Sequence, residues 1–149
     1  MRLSLPALAL LCALPLPAAA VTPETEAFGQ CLVGQTSGDD RILLVRWMAL
    51  AFSAHPAVQD AVTRDMAKAD ETNQQVAALF TTLLTERCVN EAKAAVAAEG
   101  DVGVAMQKSF EMLGGVASQE AMMAPEVSET VSGFVAYVDE AALMSALGQ

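Results

Sequence analysis

The stretch Asp39–Ala54, DDRILLVRWMALAFSA, decides how the rest of the chain is read. Eleven positions from Ile42 to Phe52 hold one charge, Arg46, and are otherwise apolar, so a helix built from them has an apolar surface on nearly every side. A helix of that kind is expected at the buried centre of a bundle. It is too short to cross a bilayer, which takes about 20 apolar residues. Ser37, followed three residues later by Asp40, supplies an N-terminal cap, and Asp39 and Asp40 lie at the positive end of the helix dipole.

Helical spacing continues on both sides, and no segment alternates with the period of a strand. A first helix starts with Thr22 as cap and Pro23 in its first turn, stops at Gly34, and places Phe28, Cys31 and Leu32 on one face. Pro56 ends the central helix after His55 and opens a third, with Val58, Ala61, Val62, Met66 and Ala69 inward and Asp60 and Arg64 as an exposed pair. Thr72 and Gln75 fit a capping box, yet no Gly or Pro compels a break there, so the join between third and fourth helices stays open. From Val76 an apolar stripe runs through Leu79, Phe80, Leu83, Leu84, Cys88, Ala92, Ala95 and Val96 to a stop at Gly100. A later helix lines Met106, Phe110, Leu113, Ala117 and Ala121 on one face, with Gly114 and Gly115 inside it, where a close helix crossing would explain the glycines. Pro125 starts the last, with Val127, Val131, Phe134, Val138 and Ala142 inward. The expected fold is all-α, a single domain over residues 21–149, in a bundle of five or six helices.

Residues 1–20 read as a cleaved secretory signal peptide: Met1-Arg2, an apolar run from Leu3 to Leu16, and small residues Ala18-Ala19-Ala20 before Val21. Pro6, Pro15 and Pro17 interrupt that run, which is short for a retained anchor, and the bulky Leu11 before Cys12 argues against lipid attachment. Cys12 leaves with the leader, so the mature chain keeps Cys31 and Cys88, an even pair suited to an oxidising compartment. Their pairing would close a long loop and contribute about 4 kcal/mol in the chain-entropy model. The expected location is periplasmic or secreted, with no transmembrane anchor after cleavage.

The full chain carries a charge of −10, and loss of Arg2 makes the mature protein one charge more negative. Nucleic acid is not expected as a partner, because a phosphate backbone is held by clustered Lys and Arg, and here they are scattered among acids. Zinc and copper sites draw on several His or Cys ligands, and this chain has one His. Asp39-Asp40 and Glu99-Gly100-Asp101 do not follow a calcium-loop pattern, and the methionines, spread at helical spacing, read as core filler. No metal and no cofactor is expected.

Three residues remain as places to look for a purpose. Arg46 stands among apolar neighbours and is expected to pair internally with an acid such as Asp65, Glu111 or Asp139; the alternative is that Arg46 and Trp47 border a pocket and hold an anionic group. His55 is expected to cap the C-terminus of the central helix, where the dipole favours a protonated ring. An enzyme, for instance a hydrolase, would have to bring His55 together with Ser37 and an acid such as Asp39 or Asp40.

Cys31-Leu32-Val33, Thr36-Ser37-Gly38-Asp39-Asp40-Arg41, Arg46-Trp47, His55-Pro56, Ser109-Phe110, Leu113-Gly114 and Tyr137-Val138-Asp139 together resemble a pattern in small uncharacterised exported proteins of Gram-negative bacteria. The resemblance implies a periplasmic helical domain and brings no site with it. The functional expectation is a non-enzymatic binding or interaction module whose partner is an envelope protein or a small apolar or anionic ligand. An enzyme with a site around His55 and a purely structural or stress-related envelope component are the alternatives.

Overall fold

Capping chemistry sets the first two helices. In the computed structural model, which describes residues 21–63 and 65–148, Thr22 Oγ1 accepts from the Thr25 amide and opens α1 (Pro23–Gly34). Ser37 and Asp40 exchange side-chain-to-backbone hydrogen bonds of 3.1 and 2.9 Å, a complete capping box that starts α2 (Gly38–Phe52). Pro56 opens only one 3₁₀ turn, Pro56–Val58, and the next helix, α3 (Met66–Thr82), waits for Asp65, whose carboxylate accepts from the Lys68 amide. The expected third helix from Pro56 is thus replaced by a turn and irregular chain, and Thr72, rather than capping, lies buried inside α3 with its hydroxyl donating to Lys68 O. The side chain of Arg64, and with it the expected Asp60 pair, lies outside the described residues, as do the leader and Cys12.

The stripe from Val76 to Gly100 bends where α3 runs into a π turn at Leu83–Arg87, closed by the Cys88 amide donating to Leu83 O. Then α4 (Val89–Glu99) takes a new direction and ends at Gly100, whose φ of +70° suits glycine. Asp101 caps α5 (Val102–Met122). The expected last helix is three pieces: α6 (Pro125–Ser132), a 3₁₀ segment Gly133–Tyr137, and α7 (Glu140–Ala146). Among the described residues there are seven α-helices and no strand, against an expectation of five or six helices. The excess comes from the division of the last third, where Gly133 and the Asp139 cap interrupt one apolar pattern.

The central helix is α1. Its face Thr25, Phe28, Gly29 and Leu32 is buried against α4 and α5. Ala105, Ser109, Leu113 and Ala117 of α5, and Ala92 and Ala95 of α4, complete the core with Val76, Leu79 and Leu83. Gly29 admits the closest approach, to Met112 of α5, whereas Gly114 and Gly115 face open space and mark no helix crossing. α2 buries only Leu44 fully; it lies across α3 and α5 at the edge, with Ile42, Arg46 and Ala49 turned outward. The expectation of a buried central α2 fails because its apolar sides face two shallow neighbours and solvent instead of a ring of helices. Cys31 and Cys88 are bonded, tying α1 to the start of α4, and Arg87 beside the bridge donates to Gln35 O at 2.7 Å. Among the described residues, no helix is long and apolar enough to cross a membrane.

One polar cluster locks the ends together. Glu99, at the C-terminus of α4, accepts from Thr25 Oγ1 at 2.9 Å and from Lys108 Nζ at 3.0 and 3.1 Å, while Thr22 Oγ1 lies 3.2 Å away. The buried Ser109 hydroxyl donates to Thr25 O at 3.1 Å, so the first turn of α1 is held by both α4 and α5. The Lys108 and Thr25 hydrogen bonds hold the Glu99 carboxyl below the ordinary glutamate value.

Candidate functional site

Arg46 and Trp47 are adjacent on α2, and the 100° turn between them sends them to different surroundings. Arg46 is exposed, on the rim of an open hollow shared with Asp39, Asp40, Leu43 and Gln75. The three acids named as internal partners have other work: Asp65 caps α3, Asp139 caps α7, and Glu111 accepts from Gln107. The two aspartates in its hollow make the local field unfavourable to an anion.

Trp47 turns inward. Its indole N–H donates to Asn73 Oδ1 at 2.9 Å, and its ring meets Phe80 edge-on at 6.3 Å. Phe80 lies 4.5 Å from Phe110, and Phe110 meets the buried Phe28 edge-on at 6.4 Å. Four aromatic rings thus run from the surface of α2 through α3 and α5 to the centre of α1, each pair at a separation that aromatic quadrupoles favour. Beside this chain is an apolar hollow of about 180 Å³ lined by Leu44, Trp47, Met48, Phe80, Phe110, Leu113 and Gly114. Gly114 gives it its opening, since a Cβ there would meet nothing within 4 Å. Pockets for drug-sized ligands run from roughly 300 to 1,000 Å³, so this hollow suits one or two apolar side chains instead.

His55 is exposed and turns its Nδ1 toward the amide of Ala57, accepting at 3.1 Å. It caps the 3₁₀ turn that follows it, where an unprotonated nitrogen is needed, and not the end of α2. Ser37 and His55 stand at opposite ends of α2, roughly 25 Å apart along the helix at 1.5 Å per residue. Ser37 and Asp40 are occupied by their capping box. The structure therefore does not bring the nominal hydrolase residues together. Among the described residues, no three His, Cys, Asp or Glu side chains gather to hold a metal ion.

A second apolar groove of about 370 Å³ lies between α2 and α5, with Ile42 and Val45 on one wall, Ala117, Ala121 and Ala124 on the other, and Val127 of α6 at its mouth. Arg41 donates to Glu120 across it at 2.7 Å and to Thr36 O at 2.7 Å. Sequence reasoning named Trp47 but missed Met48, Phe80, Phe110 and Gly114 as its companions. The signal available was an open glycine within an apolar stripe, which has two explanations, a close crossing or a missing neighbour, and the second holds here. No protein-family model, curated protein or solved structure matches this chain.

Proposed function

We propose that the chain is exported through its N-terminal leader and acts in the cell envelope as a non-enzymatic interaction module, taking an apolar anchor side chain of a partner protein into the hollow beside Trp47. The observation that carries this reading is that hollow itself: apolar, walled by Trp47, Phe80 and Phe110, of side-chain volume, and open at Gly114. Aromatic-lined pockets that desolvate one inserted side chain are where interface energy concentrates. The hydrogen bond from Trp47 to Asn73 fixes the indole wall before anything arrives, which lowers the ordering cost of association.

Two experiments test the two parts. Export predicts a mature chain that begins at Val21 and is released with the periplasmic fraction; a protein retaining Met1 in the cytoplasm would remove the compartment. For the hollow, a benzophenone amino acid placed at Met48 in producing cells is expected to give one discrete protein adduct, and the same group at Lys93, exposed on α4, is expected to give none. An adduct with lipid alone, or identical adducts from both positions, would overturn the reading.

A further inference from the structure

We infer that the Cys31–Cys88 bond gates the Trp47 hollow: it holds the π turn that fixes Phe80, so the hollow is complete only once the two thiols have been oxidised. Such a gate regulates the proposed binding site and to that extent rests on it, although its opening can be measured with no partner present.

The π turn is one residue inserted into a regular pattern. Ala69, Thr72, Val76, Leu79 and Leu83 are buried at spacings of three or four, as are Cys88, Ala92 and Ala95, but Leu83 and Cys88 stand five apart. At about 100° per residue, five residues of α-helix would carry Cys88 about 140° away from the face of Leu83. Regular geometry would turn Arg87 inward in its place. The wide turn, closed by the Cys88 amide on Leu83 O at 2.8 Å, absorbs the extra residue, and both Leu83 and Cys88 are fully buried.

Little besides the bond holds that turn, and π turns are rare within helices. Arg87 donates to Gln35 O from a half-exposed side chain, and its contact with Asp40 is a surface ion pair at 3.9 Å, of little energy. Cys88 is the residue tied covalently, to Cys31 on the central helix. The two sides of the turn are unequally anchored: α4 packs on α1 and α5, whereas α3 packs mainly on α2. A turn that relaxes towards α geometry therefore moves α3, and taking up one residue rotates it by up to about 100°. Phe80 lies at the junction, its carbonyl accepting from the Leu83 amide. Its ring links Trp47, 6.3 Å away, to Phe110, 4.5 Å away, and the Asn73 acceptor of the indole is on α3 as well. Rotation of α3 thus removes one wall of the hollow and frees another.

Disulfide exchange operates the gate. Cys31 is partly exposed and Cys88 is buried, so Cys31 is the sulfur that a reagent reaches. As a thiolate it attacks the disulfide of an oxidant of the dithiol–disulfide class, forming a mixed disulfide and releasing one oxidant thiolate. The Cys88 thiolate then attacks Cys31 Sγ and displaces the second. Two electrons and two protons pass to the oxidant, which leaves as a dithiol. Such oxidants belong to the compartments of exported proteins, so a chain still inside the cell would keep two thiols and a hollow open on one side.

Trp47 is the only tryptophan, so its quenching by acrylamide reads the hollow directly. On reduction with dithiothreitol, and in Cys31→Ala with Cys88→Ala, quenching is expected to rise several-fold while the far-ultraviolet helical signal stays. Deleting Thr85, exposed within the π turn, places Leu83 four residues before position 88, and a regular helix then buries both without a wide turn. Added to the two-alanine variant, that deletion is expected to return Trp47 to its protected state. In producing cells, the benzophenone adduct at Met48 is expected to disappear from the two-alanine variant and to return with the deletion. The gate is overturned by a Trp47 that stays protected in the reduced chain, by a quenching rise that survives the deletion, by loss of the helical signal on reduction, or by an undiminished Met48 adduct without the cysteines. Because quenching needs no partner, it decides the gate even where Met48 yields no adduct and the hollow is not a binding site.

Discussion

Gly29 is the residue on which the packing of the centre turns. A Cβ at this position would stand 2.8 Å from Met112 Sδ and 3.2 Å from Met112 Cβ, so α1 and α5 approach over a missing side chain. The far end of a methionine moves easily, and alanine is worth about 1 kcal/mol over glycine in a helix. Gly29→Ala is therefore expected to leave stability within about 1 kcal/mol of wild type, while Gly29→Leu, which Met112 cannot accommodate, lowers it by about 1–3 kcal/mol in denaturant titration. Met112→Ala in the same chain should recover part of that loss, since the two positions share one volume. Glu99 provides the second residue-scale prediction. Its folded pKa lies below the ordinary 4.5, so the stability it contributes is fully present above that value and is lost as pH falls through the lowered one. Glu99→Gln is accordingly expected to melt earlier than wild type at pH 7, with the two melting points converging towards pH 2. A gap that stayed constant over that range would show that the Lys108 and Thr25 bonds do not act through the carboxylate charge.

At the scale of elements, the question is which helix is the centre. Composition favours α2 and burial favours α1, and the difference is measurable. Phe28 is fully buried and Phe52 is 72 % exposed. Phe28→Ala is expected to cost about 3–5 kcal/mol, whereas Phe52→Ala costs under about 1 kcal/mol by equilibrium unfolding. Comparable losses would return α2 to the centre. The helix ends were legible because they rest on local chemistry: Thr22, Pro23, Ser37 with Asp40, and Gly100 act within four residues of themselves. The bonding of Cys31 to Cys88 was legible as well, since leader-like sequence and an even pair leave one partner for each. The direction of α2 was not, because a helix apolar on all sides carries no periodic signal of which side is inward. Arg46 held that signal: with Ile42 and Ala49 it marks the outward face, and reading it as a buried charge inverted the helix. Trp47 was legible as a candidate, while Phe80 and Phe110 came to it only through the packing of α3 and α5.

At the scale of the molecule, residues 21–122 hold every buried apolar side chain among the described residues, and residues 125–147 hold none. The amphipathic pattern after Pro125 made an inner face legible there, but a pattern states that a face is apolar and not what it meets. The arm's rings and aliphatic side chains, from Val127 to Tyr137 at 90 % exposure and on to Leu147, add little to the area removed from water. Ending the chain after Ala124 is therefore expected to preserve the Cys31–Cys88 bond, cooperative unfolding and the helical signal of the remaining elements, with stability changed by less than about 2 kcal/mol. The urea dependence should fall only slightly, since it follows the surface exposed on unfolding. A loss of about 4 kcal/mol or more, the scale of a core deletion, would mean that the arm is a structural part of the bundle. A small loss is the outcome expected of a core, residues 21–122, that folds alone.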